Sequence, residues 1–111
     1  MPQLIRSTVR TAARFAAGAL LVNAIPHTVM GVTGQRFPTP FANPPGVGPS
    51  SPTENVAWGA VNLAAGSALL AAGSRTKGSK VPLVAGGALM ALFLSRYFGD
   101  VEARLGSRDP G

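Results

Sequence analysis

Along the chain, apolar positions gather into three stretches that polar, proline-rich or basic residues separate. They occupy positions 15–32, 52–72 and 81–98. None shows the strict alternation of a half-buried strand, and each is long enough for a helix that crosses a bilayer. The second has the best specified start. Ser51 is placed to act as N-cap, Pro52 stands at N1 where its missing N–H costs nothing, and Glu54 stands at N3 to complete a capping box. Gly73 suits the position after the last turn, and the intervening 21 residues make a helix of about 31 Å, close to the hydrocarbon thickness of a membrane. The third stretch repeats the pattern, with Pro82 in its first turn and Gly99 where a helix would stop, and it is at the short limit for a span.

The expected fold is therefore all-α: a membrane-spanning three-helix bundle with a proline-rich outer loop, residues 33–51, between helices 1 and 2. Residues 15–99 form one membrane domain, and residues 100–111 a polar tail with one amphipathic turn or two. Residues 1–14 form a basic arm, where Arg6, Arg10 and Arg14 fall at i, i+4 and i+8 on one helical face, with Ile5, Val9, Ala12, Ala13 and Ala16 largely away from it. An arm with no acid resembles a presequence, or a signal peptide cut after Ala24. Against cleavage, apolar character resumes at Ile25 and runs to Val32, which favours an uncleaved first helix with its arginines at a lipid surface.

Small residues punctuate the spans. Ala60, Ala64, Ala68 and Ala72 recur every four residues, Gly59, Gly66 and Gly73 every seven, and Gly87, Ala91, Ser95 and Gly99 every four. Such strips let backbones approach closely where lipid removes the hydrophobic drive, which implies self-association or docking on a larger membrane complex. Alanine-rich spans also produce these spacings by chance. Three spans seldom enclose a large pocket of their own.

Composition agrees with a membrane setting. Charged residues make up 13% of the chain, about half the share in ordinary soluble domains. The net charge of +6 is not one patch: three arginines precede the first stretch, and Arg75, Lys77 and Lys80 lie between the second and third. The proline-rich loop sets only Arg36 against Glu54. By the positive-inside rule the N-terminus and the 74–80 connection are cytoplasmic, and the loop and C-terminus are outside. Trp58 and Tyr97 then share the outer interface. A bacterial cytoplasmic membrane is expected, with the mitochondrial inner membrane as the alternative. Nucleic acid is not an expected partner, since the basic clusters lack interleaved aromatics and fit no binding motif.

Chemistry is sparse. Without cysteine there are no disulfides, thiolate sites or cysteine nucleophiles, and the single histidine rules out the usual multi-histidine zinc site and bis-histidine haem. No catalytic residue, metal or cofactor is expected. The candidate ligand-binding residues are Asn23, His27, Asn55, Asn62, Arg96 and Glu54. Asn23 and His27 stand one turn apart, with Pro26 between them freeing the carbonyl of Val22. Asn55 and Asn62 share a face with Gly59, and Arg96 is placed to snorkel or to pair with Glu54. Two readings stand. In one, these groups tie helices together through hydrogen bonds of about 1 kcal/mol or less, in a non-enzymatic protein that works as a homo-oligomer or accessory subunit. In the other, His27 and Asn62 centre a polar site beneath the loop that binds a small molecule or serves a transporter.

The loop region holds six of the ten prolines between Gly34 and Gly59. Phe37 and Phe41 flank a Pro-Thr-Pro tripeptide, and prolines lower the entropy of the free loop. A stiff seal and a docking surface fit equally. From Asn23 to Gly59, about a third of the chain, the sequence reads NAIPHTVMGVTGQRFPTPFANPPGVGPSSPTENVAWG. This combination of Pro-His pair, Phe-Pro-rich loop, PPGxG turn, Ser-Ser-Pro and Asn-x-x-Trp-Gly resembles small uncharacterised bacterial integral membrane proteins. The resemblance implies that loop and flanking helix ends act as one unit, and it brings no activity.

Overall fold

A computed structural model describes residues 2–73 and 78–107, with side chains described up to Val101 and not at Gly73. Arg75 and Lys77 lie outside the described residues, as does the end of the tail. Three helices carry the fold: α1 (Pro2–Val32), α2 (Pro52–Gly73) and α3 (Val81–Ser107). Each is long and apolar enough to cross a membrane. The loop adds a two-residue antiparallel pair, β1 (Phe37–Pro38) and β2 (Pro49–Ser50), with Phe37 opposite Ser50.

The basic arm and the first span are one continuous helix of 31 residues, with Pro26 inside it. It ends on a Schellman motif. Gly34 takes a φ of 74°, its N–H donates to Gly31 O (3.1 Å), and Gln35 N–H donates to Met30 O (2.9 Å). The capping box at α2 forms as the sequence predicts. Ser51 N–H donates to Glu54 Oε1 (2.9 Å), and Glu54 N–H donates to Ser51 Oγ (3.1 Å). Gly99 does not end the third helix, which runs on to Ser107. A glycine stops a helix when it turns left-handed, and among the described residues only Gly34 and Gly46 do so. Residues 100–105 have no proline to break the ladder, and Val101 is buried and anchors the extension.

Helix α1 lies between the other two, which scarcely touch each other. It runs antiparallel to α2 and parallel to α3. On its α2 side Ala17, Ala24 and Gly31 recur every seven residues, opposite Gly66, Gly59 and the Pro52–Val56 turn respectively. On its α3 side Gly18 meets the backbone at Leu83 and Gly87, while Gly86 meets the backbone of Phe15. A Cβ at Gly18 or Gly86 would overlap a carbonyl oxygen of the facing helix. Of the seven-residue glycine spacing of α2, Gly59 and Gly66 thus form an interface, but the four-residue strips do not. Ala60, Ala64, Ala68 and Ala72 are exposed, as are Ala91, Ser95 and Gly99, leaving only Gly87 buried. The physical reason is period: contact with one straight neighbour follows a mean spacing near 3.5, and a strict four-residue row drifts off that face.

Burial is inverted relative to a core formed in water. The largest fully buried side chains are Asn55, Asn62 and Thr39, whereas Val61, Leu63, Val84, Leu89, Leu92 and Phe93 are all more than half exposed.

Candidate functional site

Two side-chain rungs join α1 to α2. At the first, Asn23 Nδ2–H donates to Asn62 Oδ1 (3.0 Å), and Asn62 Nδ2–H donates to the Trp58 carbonyl one turn back (2.8 Å). At the second, His27 Nδ1 lies 2.8 Å from Asn55 Oδ1. The network fixes the direction of this bond. The Asn55 amide nitrogen donates to Phe37 O (2.9 Å) and Ser51 O (3.1 Å), with a longer contact to Ser50 O (3.4 Å). Its Oδ1 therefore accepts, and His27 Nδ1–H donates. Gly59 sits between the rungs against Thr28 and Ala24, so no side chain holds the helices apart there.

Asn55 also closes the loop, because Phe37 and Ser50 are the residues paired across β1 and β2. Above it, the buried hydroxyls of Thr39 and Ser50 share a hydrogen bond of 2.6 Å. The far side of the loop is held by α3, where Tyr97 O–H donates to Gly46 O (2.6 Å). Gly46 has φ 71°, and a Cβ there would strike the Tyr97 hydroxyl, so the turn needs glycine on both counts. Phe37 packs inward on His27 (centroids 5.4 Å apart) and Phe98 (4.3 Å). Phe41 is exposed and stands edge-on to Trp58 at 5.7 Å.

Because α2 and α3 both pack on α1 but scarcely meet each other, a cleft remains between them, and the loop roofs its end. The result is a half-open cavity of about 460 Å³. Asn23 and His27 line it from α1, Trp58 from α2, Met90, Phe93, Leu94, Tyr97 and Phe98 from α3, and residues 38–40 and 45–46 from the loop. Three spans alone would not enclose such a volume; the proline-rich loop supplies the missing wall. No charged residue lines it. Among the described residues, Trp58 Nε1 is the buried side-chain polar atom without a hydrogen-bond partner.

Of the residues singled out in the sequence, Asn23, His27, Asn55 and Asn62 come together. Glu54 and Arg96 do not. Both are exposed, on helices that scarcely meet, and no ion pair joins them among the described residues. Glu54 engages its own N-cap, and the cation whose field reaches it is Arg36. Sequence reasoning assigned Trp58 and Tyr97 to the interface alone and passed over Thr39, Ser50 and Phe98. Trp58 had a usable signal: it lies between Asn55 and Asn62 at helical spacing, on the same side of α2. For the loop hydroxyls no local signal exists. Among the described residues no three His, Asp or Glu side chains gather as a metal site. No protein-family model, curated protein or solved structure matches this chain.

Proposed function

We propose that this chain is a small, non-enzymatic integral membrane protein that holds a small uncharged ligand in the cleft between α2 and α3, beneath the proline-rich loop. The observation that carries the reading is the cavity, whose wall combines apolar and aromatic side chains with a few convergent polar groups, the usual composition of a ligand site. The membrane setting is supported by three helices of sufficient length and by burial of amides while leucine, valine and phenylalanine face outward, which costs nothing when the surroundings are lipid. The expected membrane is the bacterial cytoplasmic one, with the N-terminus inside. As the only tryptophan, Trp58 makes the site self-reporting. Protein purified in native lipid nanodiscs is expected to release a bound small molecule on organic extraction, and its Trp58 emission is expected to shift when that extract is added back. An empty extract together with emission indifferent to membrane lipid extracts would count against the reading.

A second reading, association through helix faces with itself or with other membrane proteins, is favoured by one observation: the strip Ala60, Ala64, Ala68 and Ala72 is not used inside the bundle. Mass measurement of the detergent-solubilised chain tests it, and a strict monomer without a co-purifying partner would remove it.

A further inference from the structure

Resting on the ligand-binding reading, we infer that the cleft takes a neutral diol head, two hydroxyls on neighbouring carbons, carried on a single apolar tail in the manner of an alkylglycerol. Two acceptors that the protein leaves without donors identify the head. Asn62 gives its amide hydrogen to the Trp58 carbonyl, so its Oδ1 is the acceptor of the pair and Asn23 turns its own amide nitrogen toward it. The oxygen left over, Asn23 Oδ1, receives no hydrogen bond from a described residue. His27 repeats the arrangement one turn on. With Nδ1–H committed to Asn55, its Nε2 is an acceptor that no described residue serves, and a wall without countercharge keeps the ring neutral. Both atoms are open. Among the described residues the partnerless side-chain polar atom sealed from water is Trp58 Nε1, and neither of these two is so sealed. Both residues line the cavity, and His27 is only 2% exposed, so its small free surface lies there.

The number of acceptors selects the head. They belong to successive turns of α1, so each takes its own hydroxyl and no single atom has to bridge them. A lone alcohol leaves one of them unserved. A carboxylate or ketone brings only further acceptors, and an ammonium enters a wall without countercharge. A primary amide donates twice, but its carbonyl adds one more acceptor to a wall already in excess. The rest of the wall selects the body. Met90, Phe93 and Leu94 of α3 are apolar, and the gap where α2 and α3 scarcely meet leaves the tail a path out of the bundle.

The test uses the full chain in nanodiscs and three probes that differ only in hydroxyl count: 1-O-octylglycerol, its mono-O-methyl ether and its di-O-methyl ether. Octylglycerol is expected to shift Trp58 emission saturably, and the half-saturating membrane mole fraction is expected to rise about tenfold with each methylation, the worth of one hydrogen bond per step. Asn23→Ala removes one acceptor and leaves the His27–Asn55 bond in place. It is expected to bind octylglycerol and the mono-O-methyl ether within about threefold of each other while keeping the second step. Equal saturable binding of all three probes would overturn the diol inference and leave the cavity as a general apolar site. Saturable binding of none would overturn the diol inference too, and a molecule recovered by organic extraction would then show that the cavity holds a different head. Two tenfold steps that survive unchanged in Asn23→Ala would overturn the pairing of Asn23 with His27 as the site.

Discussion

At the scale of single residues, Asn55 holds more of this molecule than its size suggests. Its amide nitrogen donates to carbonyls at Phe37 and Ser51 while its oxygen accepts from His27 Nδ1–H, so removing it leaves several buried groups unpaired at once. Asn55→Ala is expected to lower stability by about 1–3 kcal/mol in reversible unfolding from mixed micelles. Asn23→Ala, which gives up one interhelical bond to Asn62, should cost about 0.6 kcal/mol, the usual value for such bonds within lipid. Equal costs at the two positions would contradict the view that Asn55 couples loop to bundle. Much of this was legible from spacing. Polar residues at i, i+4 on one apolar helix and i, i+7 on another pointed to a shared interface. The pairing was not legible, because spacing says which residues share a face and nothing about the register of two helices. Glu54 shows the converse: its capping role was readable within four residues, and its supposed partner Arg96 needed a contact between α2 and α3 that does not form.

Among the elements, glycine has three different jobs, and substitution separates them. At Gly18 a Cβ would meet backbone of α3, which cannot step aside as a side chain can, so Gly18→Ala is expected to part the helices and cost several kcal/mol, up to loss of the folded state. Ala64→Val on the exposed strip should be nearly neutral in the isolated chain. Gly34 has open space around it but a φ of 74°, so Gly34→Ala costs about 1 kcal/mol through conformation alone. Gly99 has open space and no positive φ, and Gly99→Ala should stabilise by about 0.5–1 kcal/mol. Thermal unfolding of this set in one detergent checks all four signs. The same contrast marks the limit of the sequence reading. Helix starts carry side-chain signatures, whereas a glycine reads identically as stop, contact or spacer until its neighbours are known. The loop was the hardest element, since its walls rest on long-range bonds such as Tyr97 to Gly46.

For the whole molecule, unequal helix lengths decide how the protein sits in a bilayer. Gly31 stands against Pro52, so α1 and α2 begin level at the loop end. Helix α1 has 31 residues and α2 has 22, and the nine-residue difference emerges at the other end as about 13 Å of helix. That overhang carries Arg6 and Arg10, with Arg14 just inside it. About 13 Å is enough to cross a headgroup layer, so in a bilayer the arginines are expected among lipid phosphates while α2 fills the hydrocarbon. Arginine-rich ends stay on the cytoplasmic side, so the cavity and its loop should open at the outer leaflet. The chain has no cysteine, which makes the expectation directly measurable. In intact cells, Pro45→Cys in the exposed loop should react with a membrane-impermeant maleimide, and Ser79→Cys in the exposed connection should react only after permeabilisation. Reaction at position 79 from outside, with protection at 45, would invert the orientation and move the cavity to the cytoplasmic leaflet. Any ligand would then have to arrive from the opposite monolayer, while the geometry of the cleft itself stayed the same.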